Sequence, residues 1–192
     1  MKLALLHLSD IHFENSQDWI VEKADLIAQS FLSNIFGEKV EALFVVISGD
    51  IANKGKADQY KVASSFLEKL NAKISSEKDF PIHFVIIPGN HDCNLGNPAD
   101  LELRQLSINS ILQDSSAVTK GGQIYNECLK VQNEFFDFTK QLEPTLAYPE
   151  TPEVFYRLVA EVQGKKVVFN CFNTAWLTQL HEKQGALTMP RH

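Results

Sequence analysis

Three short clusters of metal-ligand residues stand out in the chain: Asp10-Ile11-His12, Gly49-Asp50 and Gly89-Asn90-His91-Asp92. Asp10 and His12 are one residue apart, so they share a face if an extended strand runs that far. Such a pair can offer one divalent ion an oxygen and a nitrogen. Asp50 follows a glycine, which allows a tight exit from a strand and close backbone approach. A carboxylate there could bridge two ions with its two oxygens. Asn90 supplies a neutral oxygen. His91 sits where it could reach a substrate rather than a metal. Asp92 could orient His91 or hold the loop by hydrogen bonds. Singly, each cluster reads most simply as a turn, since Gly-Asp is a turn pair and Asn-His-Asp after Pro88-Gly89 can close Asx hydrogen bonds. Together, and in this order, they point to a metal centre for phosphate chemistry.

The elements around the clusters must bring them to one place. Each cluster follows an apolar run: Leu3–Leu8, Ala42–Ile47 and Ile82–Ile87. Runs of this kind read as buried strands of a parallel sheet. Ligands of open α/β sheets bind outside the carboxyl ends of such strands. Helical spacing from Asp18 to Phe36, with Trp19, Ile20, Leu26, Ile27, Phe31, Leu32 and Ile35, predicts a helix closed by Gly37. A second helix is predicted from about Asp58 to Leu70, with Tyr60, Val62, Phe66, Leu67 and Leu70 inward. This βαβαβ order predicts right-handed crossovers in one parallel sheet.

Beyond Asn90 the pattern changes. Asn94–Ala99 reads as a loop, and Asp100 as the cap of a helix through Leu112. Gly121-Gly122 breaks the chain, and Gln123–Leu142 reads as one helix. Pro144–Pro152 reads as irregular. Phe155–Val162 and Lys166–Phe172 read as an antiparallel hairpin around Gln163-Gly164-Lys165.

Composition bounds the partners. The 192 residues fit one domain, and 44% are hydrophobic. No stretch reaches the ~20 apolar residues of a membrane helix. The opening Met1–Leu8 segment is short, contains His7 and lacks a small-residue cleavage site, so it reads as a strand and not a signal peptide. The net charge of −6 argues against a generally basic nucleic-acid surface. It leaves room for a phosphorylated substrate, because divalent cations reverse the local field. Cys93, Cys128 and Cys171 form neither a disulfide framework nor a zinc-finger pattern, and a reducing, cytoplasmic setting is expected.

Ser9-Asp10-Ile11-His12, Gly49-Asp50 and Gly89-Asn90-His91-Asp92 resemble the first three signature blocks of the calcineurin-like metallophosphoesterases. The resemblance is strong from Met1 to about Asp92 and weaker over Phe155–Trp176. It implies an α/β fold, an αββα sandwich with a dinuclear metal site, here incomplete at the C-terminus. By resemblance, Asp10, His12 and Asp50 match ligands of the first metal. Asp50 and Asn90 match ligands of the second, with Asp50 bridging. His91 matches the catalytic histidine, with Asp92 beside it. The cofactors implied are two divalent ions from among Mn, Fe, Zn, Ni and Co. The reaction implied is hydrolysis of a phosphoester, with no covalent enzyme intermediate.

Gly49-Asp50 continues as Ile51-Ala52-Asn53-Lys54-Gly55, without the Arg and second Asp of the Ser/Thr phosphatase branch. That favours a phosphodiester or small phosphorylated substrate. Lys54 and Lys56 could meet a phosphate, although loop lysines are first expected to be solvated. The segment 93–152 is expected as a helical insertion where a lid could lie. Two readings compete with a small-molecule phosphodiesterase. One is a nuclease, because His7–His12 also resembles the DNA-repair exonuclease branch. The other is a non-catalytic binding or sensor module in a larger multidomain protein. The family's later metal-binding His and its Gly-His-x-His block are missing, and His181 and His192 do not match them. The chain, 1–192, is therefore expected to be the N-terminal part of the domain, with further sequence beyond it and reduced or absent activity alone.

Overall fold

The computed structural model describes residues 1–15, 18–114, 118–142 and 146–180, with only the backbone described at 98–100. His181 and His192 lie outside the described residues. Strands β1 (Leu3–Leu8), β2 (Ala42–Ser48) and β3 (Ile82–Ile87) form a parallel sheet in the order β1-β2-β3. Helix α1 (Ala24–Asn34) joins the first two strands, and α2 (Ala57–Ser75) joins the second and third. The predicted strands lie where the apolar runs placed them. Leu43, Val45 and Ile47 on one face of β2 and Ala42 and Phe44 on the other are all buried, as befits a central strand covered on both faces.

Helices α3 (Pro98–Gln113), α4 (Gln123–Leu129) and α5 (Asn133–Thr139) follow. Strands β4 (Phe155–Val162) and β5 (Lys165–Phe172) then pair antiparallel in a second sheet. Their turn is the two residues Gln163-Gly164, at φ +50° and +71°. Positive φ at both central positions is the signature of the type I′ hairpin, so pairing extends to Lys165. The hairpin faces the parallel sheet, with the Phe44 and Phe169 rings 5.0 Å apart. It also closes an open strand edge. The Tyr156 hydroxyl donates to Ile86 O at 2.8 Å. The Tyr148 hydroxyl accepts from Ile86 N at 2.7 Å and donates to Phe84 O at 3.1 Å. Two tyrosines thus stand in for a neighbouring strand along β3.

The predicted first helix starts later than its periodicity suggests. The Asp18 carboxylate turns back to accept from the Glu14 and Asn15 amides, at 2.5 and 3.1 Å. Trp19 stays 66% exposed, and a single 3-10 turn, Val21–Lys23, precedes α1. α2 runs one turn beyond Leu70, and α3 opens at Pro98, two residues before Asp100. The predicted helix Gln123–Leu142 divides into α4, a 3-10 turn at Lys130–Gln132, and α5. The cause is tertiary: Val131 O is taken by the Asn94 amide at 2.7 Å, and Gln132 is wholly buried.

α5 places Phe135, Phe136 and Phe138 in the main core. α3 and α4 instead build a satellite core with Trp176, from Ile108, Ile111, Tyr125, Cys128 and Leu129. Among the described residues no helix is long and apolar enough to cross a membrane.

Candidate metal centre

The loops leaving β1 and β2 stay zipped together past the strand ends. Asp10 N donates to Gly49 O at 3.3 Å, His12 N to Asp50 O at 2.9 Å and Phe13 N to Ile51 O at 2.9 Å. Asn53 N returns the bond to Phe13 O at 3.1 Å. Three residues here take a left-handed backbone: Asp10, His12 and Asp50, each at φ +55°. Non-glycine residues seldom adopt it, although Asp, Asn and His do so more than most. Each left-handed step re-aims a side chain at the rim of the sheet.

The result is a group of three: ligand atoms of His12, Asp50 and His91 all lie within 4.8 Å of one another. The His12 and His91 rings meet edge to face at 4.5 Å. His91 N donates to Asp50 Oδ1 at 2.9 Å, which fixes the carboxylate against the third loop. His91 Nδ1 lies 2.9 Å from Asn53 O. A carbonyl only accepts, so Nδ1 carries the proton of that bond and Nε2 is the nitrogen left for other chemistry. Among the described residues His12 Nδ1 is buried without a hydrogen-bond partner. Buried polar atoms are normally satisfied, so such a nitrogen fits a site that receives a further group.

The other predicted site residues are placed as follows. Asp10 is exposed and outside the group of three, and its carboxylate accepts from the neighbouring Ser9 hydroxyl. Asn90 is half-buried and lines cavities on both sides of the site. Asp92 is fully buried, and its hydrogen bonds are those of a loop holder. Oδ2 accepts from Gly89 N at 2.9 Å and Ile51 N at 3.2 Å. Oδ1 accepts from Ala52 N at 2.9 Å and the Tyr60 hydroxyl at 3.1 Å. Burial pushes its carboxyl up to about 6, against the downward pull of these four donors. Asp92 therefore clamps the loop after β2 to the loop after β3.

Glycines make the clamp fit. Gly89 has an ordinary φ of −102°, yet a Cβ there would fall 2.5 Å from Asp50 N and closer still to Oδ1. Space, not conformation, requires that glycine. Gly55 needs both: its φ is +59°, and a Cβ would meet Asp92 O and Asn94 N at 2.7 Å.

Two cavities flank Asn90. One, of about 280 Å³, runs from Asp50 and Gly89 to Phe172 and Thr174. The larger, of about 420 Å³, has His91, Asn53, Lys54 and Lys56 on one side and Leu95, Thr178 and Leu180 on another. A buried polar network lies behind its wall. Gln132 and Asn173 exchange side-chain bonds at 2.6 and 3.2 Å, and Gln132 also reaches Cys93 Sγ. The Arg104 guanidinium, from α3, donates to Cys128 O, Trp176 O and Thr178 O. Cys93, beside the third cluster, and Asn173, in the Asn173–Trp176 stretch, stand out in sequence, whereas Gln132 and Arg104 do not. An arginine and a glutamine among helical apolar residues look the same whether solvated or buried.

The model of the calcineurin-like phosphoesterase family matches residues 3–177, and the chain belongs to that family. Over 92 residues the chain is 33% identical to the glycerophosphodiester phosphodiesterase GpdQ of Enterobacter lignolyticus (strain SCF1). That match spans 47% of this chain and 30% of the relative.

Proposed function

We propose that the rim of the parallel sheet is the centre of a two-metal phosphodiester hydrolase. The observation that carries the reading is the convergence of His12, Asp50 and His91, from three separate strand ends, within 4.8 Å. Asp10, His12 and Asp50 would hold one divalent ion, and Asp50 with Asn90 would hold a second. The donor set of carboxylate, imidazole and amide oxygen fits Mn, Fe, Zn, Ni or Co. When bound, the ions supply positive charge that polarises the phosphoryl group and favours attack by water.

The remaining work falls to this chain's own groups. Asn53 O fixes the His91 ring through Nδ1–H, so in the imidazolium form Nε2–H is the donor left for a substrate in the cavity that His91 lines. From there it can donate its proton to the departing alkoxide oxygen. Asp92 keeps the two loops in register, and α3 and α4 would serve as the specificity element beside the site. A diester is favoured by the Ile51–Gly55 sequence after Gly49-Asp50 and by the activity in the relative's name.

Manganese-dependent hydrolysis of bis(para-nitrophenyl) phosphate tests the proposal. His91→Ala is expected to lower kcat by about 10²–10⁴-fold while bound metal, measured by mass spectrometry, stays unchanged. Protein that binds two equivalents of metal yet cleaves no mono- or diester would be a binding module instead. Preferential cleavage of DNA would assign it to the nucleases.

A further inference from the structure

The larger cavity has a polarity that the composition does not foretell. The chain carries a net charge of −6, yet the described lining of this cavity holds Lys54 and Lys56 and no carboxylate. The two lysines are not ends of a loose loop. The buried Gln59 carboxamide oxygen accepts from both their backbone amides, Lys54 N at 2.9 Å and Lys56 N at 3.3 Å. Between them, buried Gly55 at φ +59° presses against Asp92 and Asn94, with no room for a side chain. Lys54-Gly55-Lys56 is thus a clip whose backbone is fixed from both sides. It borders the same cavity as His91.

We propose that this clip is a subsite for a second anionic group, and that the favoured substrate is a phosphodiester whose leaving alcohol carries a further phosphate or carboxylate. The inference rests on the reading of His91 as the group that protonates the leaving oxygen. His91 and both lysines border one space, so the alcohol released at His91 is the part of the substrate that meets the clip. Asn53, Asn94 and Gln179 add polar groups to the lining, and Leu95 and Leu180 apolar ones; Asn53 Nδ2 is already given to Glu14 Oε1 at 2.6 Å. The negative charge of the substrate then faces ammonium groups at one end, where carboxylates of an acidic protein would repel it. Exposed charges several ångströms apart interact weakly in water, so each lysine is expected to change affinity roughly two- to fivefold. The preference should fade with salt.

The test compares three diesters read by nitrophenolate release. They are methyl para-nitrophenyl phosphate, its analogue with a carboxylate on the ring, and its analogue with a phosphonomethyl group on the ring. The protein is expected to show a lower KM for the charged esters, and their order distinguishes a carboxylate from a phosphate as the natural group. Lys54→Met/Lys56→Met should abolish that preference, and Lys54→Arg/Lys56→Arg should keep it. A preference that survives the Met pair, or no preference in the parent protein, overturns the subsite. A readout without turnover separates this from the hydrolase reading: binding of inorganic pyrophosphate to the metal-free protein, followed by phosphorus NMR. It should weaken about tenfold in the Met pair. Unchanged pyrophosphate binding overturns the subsite, whereas intact pyrophosphate binding with no ester cleaved leaves the clip standing and removes the hydrolase.

Discussion

Gly89→Ala is a single methyl placed at the most crowded point of the site. The backbone at Gly89 suits any residue, so the whole effect must come from contact. The new Cβ would lie 2.5 Å from Asp50 N and 2.7 Å from Asp50 Cγ. Relief requires the loop after β3 to move away from Asp50 by at least half an ångström. That movement strains the 2.9 Å bond from His91 N to Asp50 Oδ1 and the 2.9 Å bond from Gly89 N to Asp92. Overpacking costs about 1–3 kcal/mol, and weakening bonds to charged acceptors adds about 1–2 kcal/mol. A loss of roughly 2–5 kcal/mol in urea unfolding is expected, with weaker metal binding by calorimetry. Gly164→Ala is the control: its φ is +71° but a Cβ there meets nothing within 4 Å. It should cost only about 1 kcal/mol of backbone strain and leave metal binding alone. A Gly89→Ala protein no less stable than Gly164→Ala, with unchanged metal affinity, would refute the steric reasoning.

Three further outcomes are expected. Tyr148→Phe removes an acceptor for Ile86 N and a donor to Phe84 O, and should destabilise by about 2–3 kcal/mol. Tyr156→Phe removes one bond and should cost about half as much; a lower urea midpoint with unchanged slope is the measurement. Cys93, Cys128 and Cys171 are all buried. Burial pushes Cys93 up to about 12 and the other two up to about 11, so all three stay protonated at neutral pH. A chromogenic disulfide reagent should react with none of them quickly in the native protein and with all three after unfolding. A fast native reaction would contradict their burial.

The three parallel strands were legible as mainly apolar runs, Leu3–Leu8, Ala42–Ile47 and Ile82–Ile87, although only β2 and β3 are buried along most of their length and β1 leaves Leu5 and His7 exposed. The hairpin was legible from alternation and a Gly-containing turn. The break between α4 and α5 was not, because it depends on Asn94 reaching Val131 O from nearly forty residues away. The start of α1 was misplaced for a local reason: Asp18 served a turn behind it rather than the helix ahead. At the site, His12, Asp50 and His91 were found from residue type and position after a strand. What stayed hidden was the division of labour. In sequence Asp92 could either orient His91 or hold the loop, and the positions of three amides and the Tyr60 hydroxyl give it the second task.

The left-handed backbone at Asp10, His12 and Asp50 sets a boundary on how this site can be remade. Only glycine and the short polar residues Asp and Asn, with His, take that conformation readily. Exchanges at these positions among Asp, Asn and His keep the geometry and tune charge and ligand hardness. Glu, Cys or a β-branched residue would have to overcome the backbone before it could offer an atom to a metal. The fold has thereby restricted its own ligand alphabet to hard oxygens and imidazole. Any cation held at this rim would meet a donor set chosen by three peptide torsions as much as by three side chains.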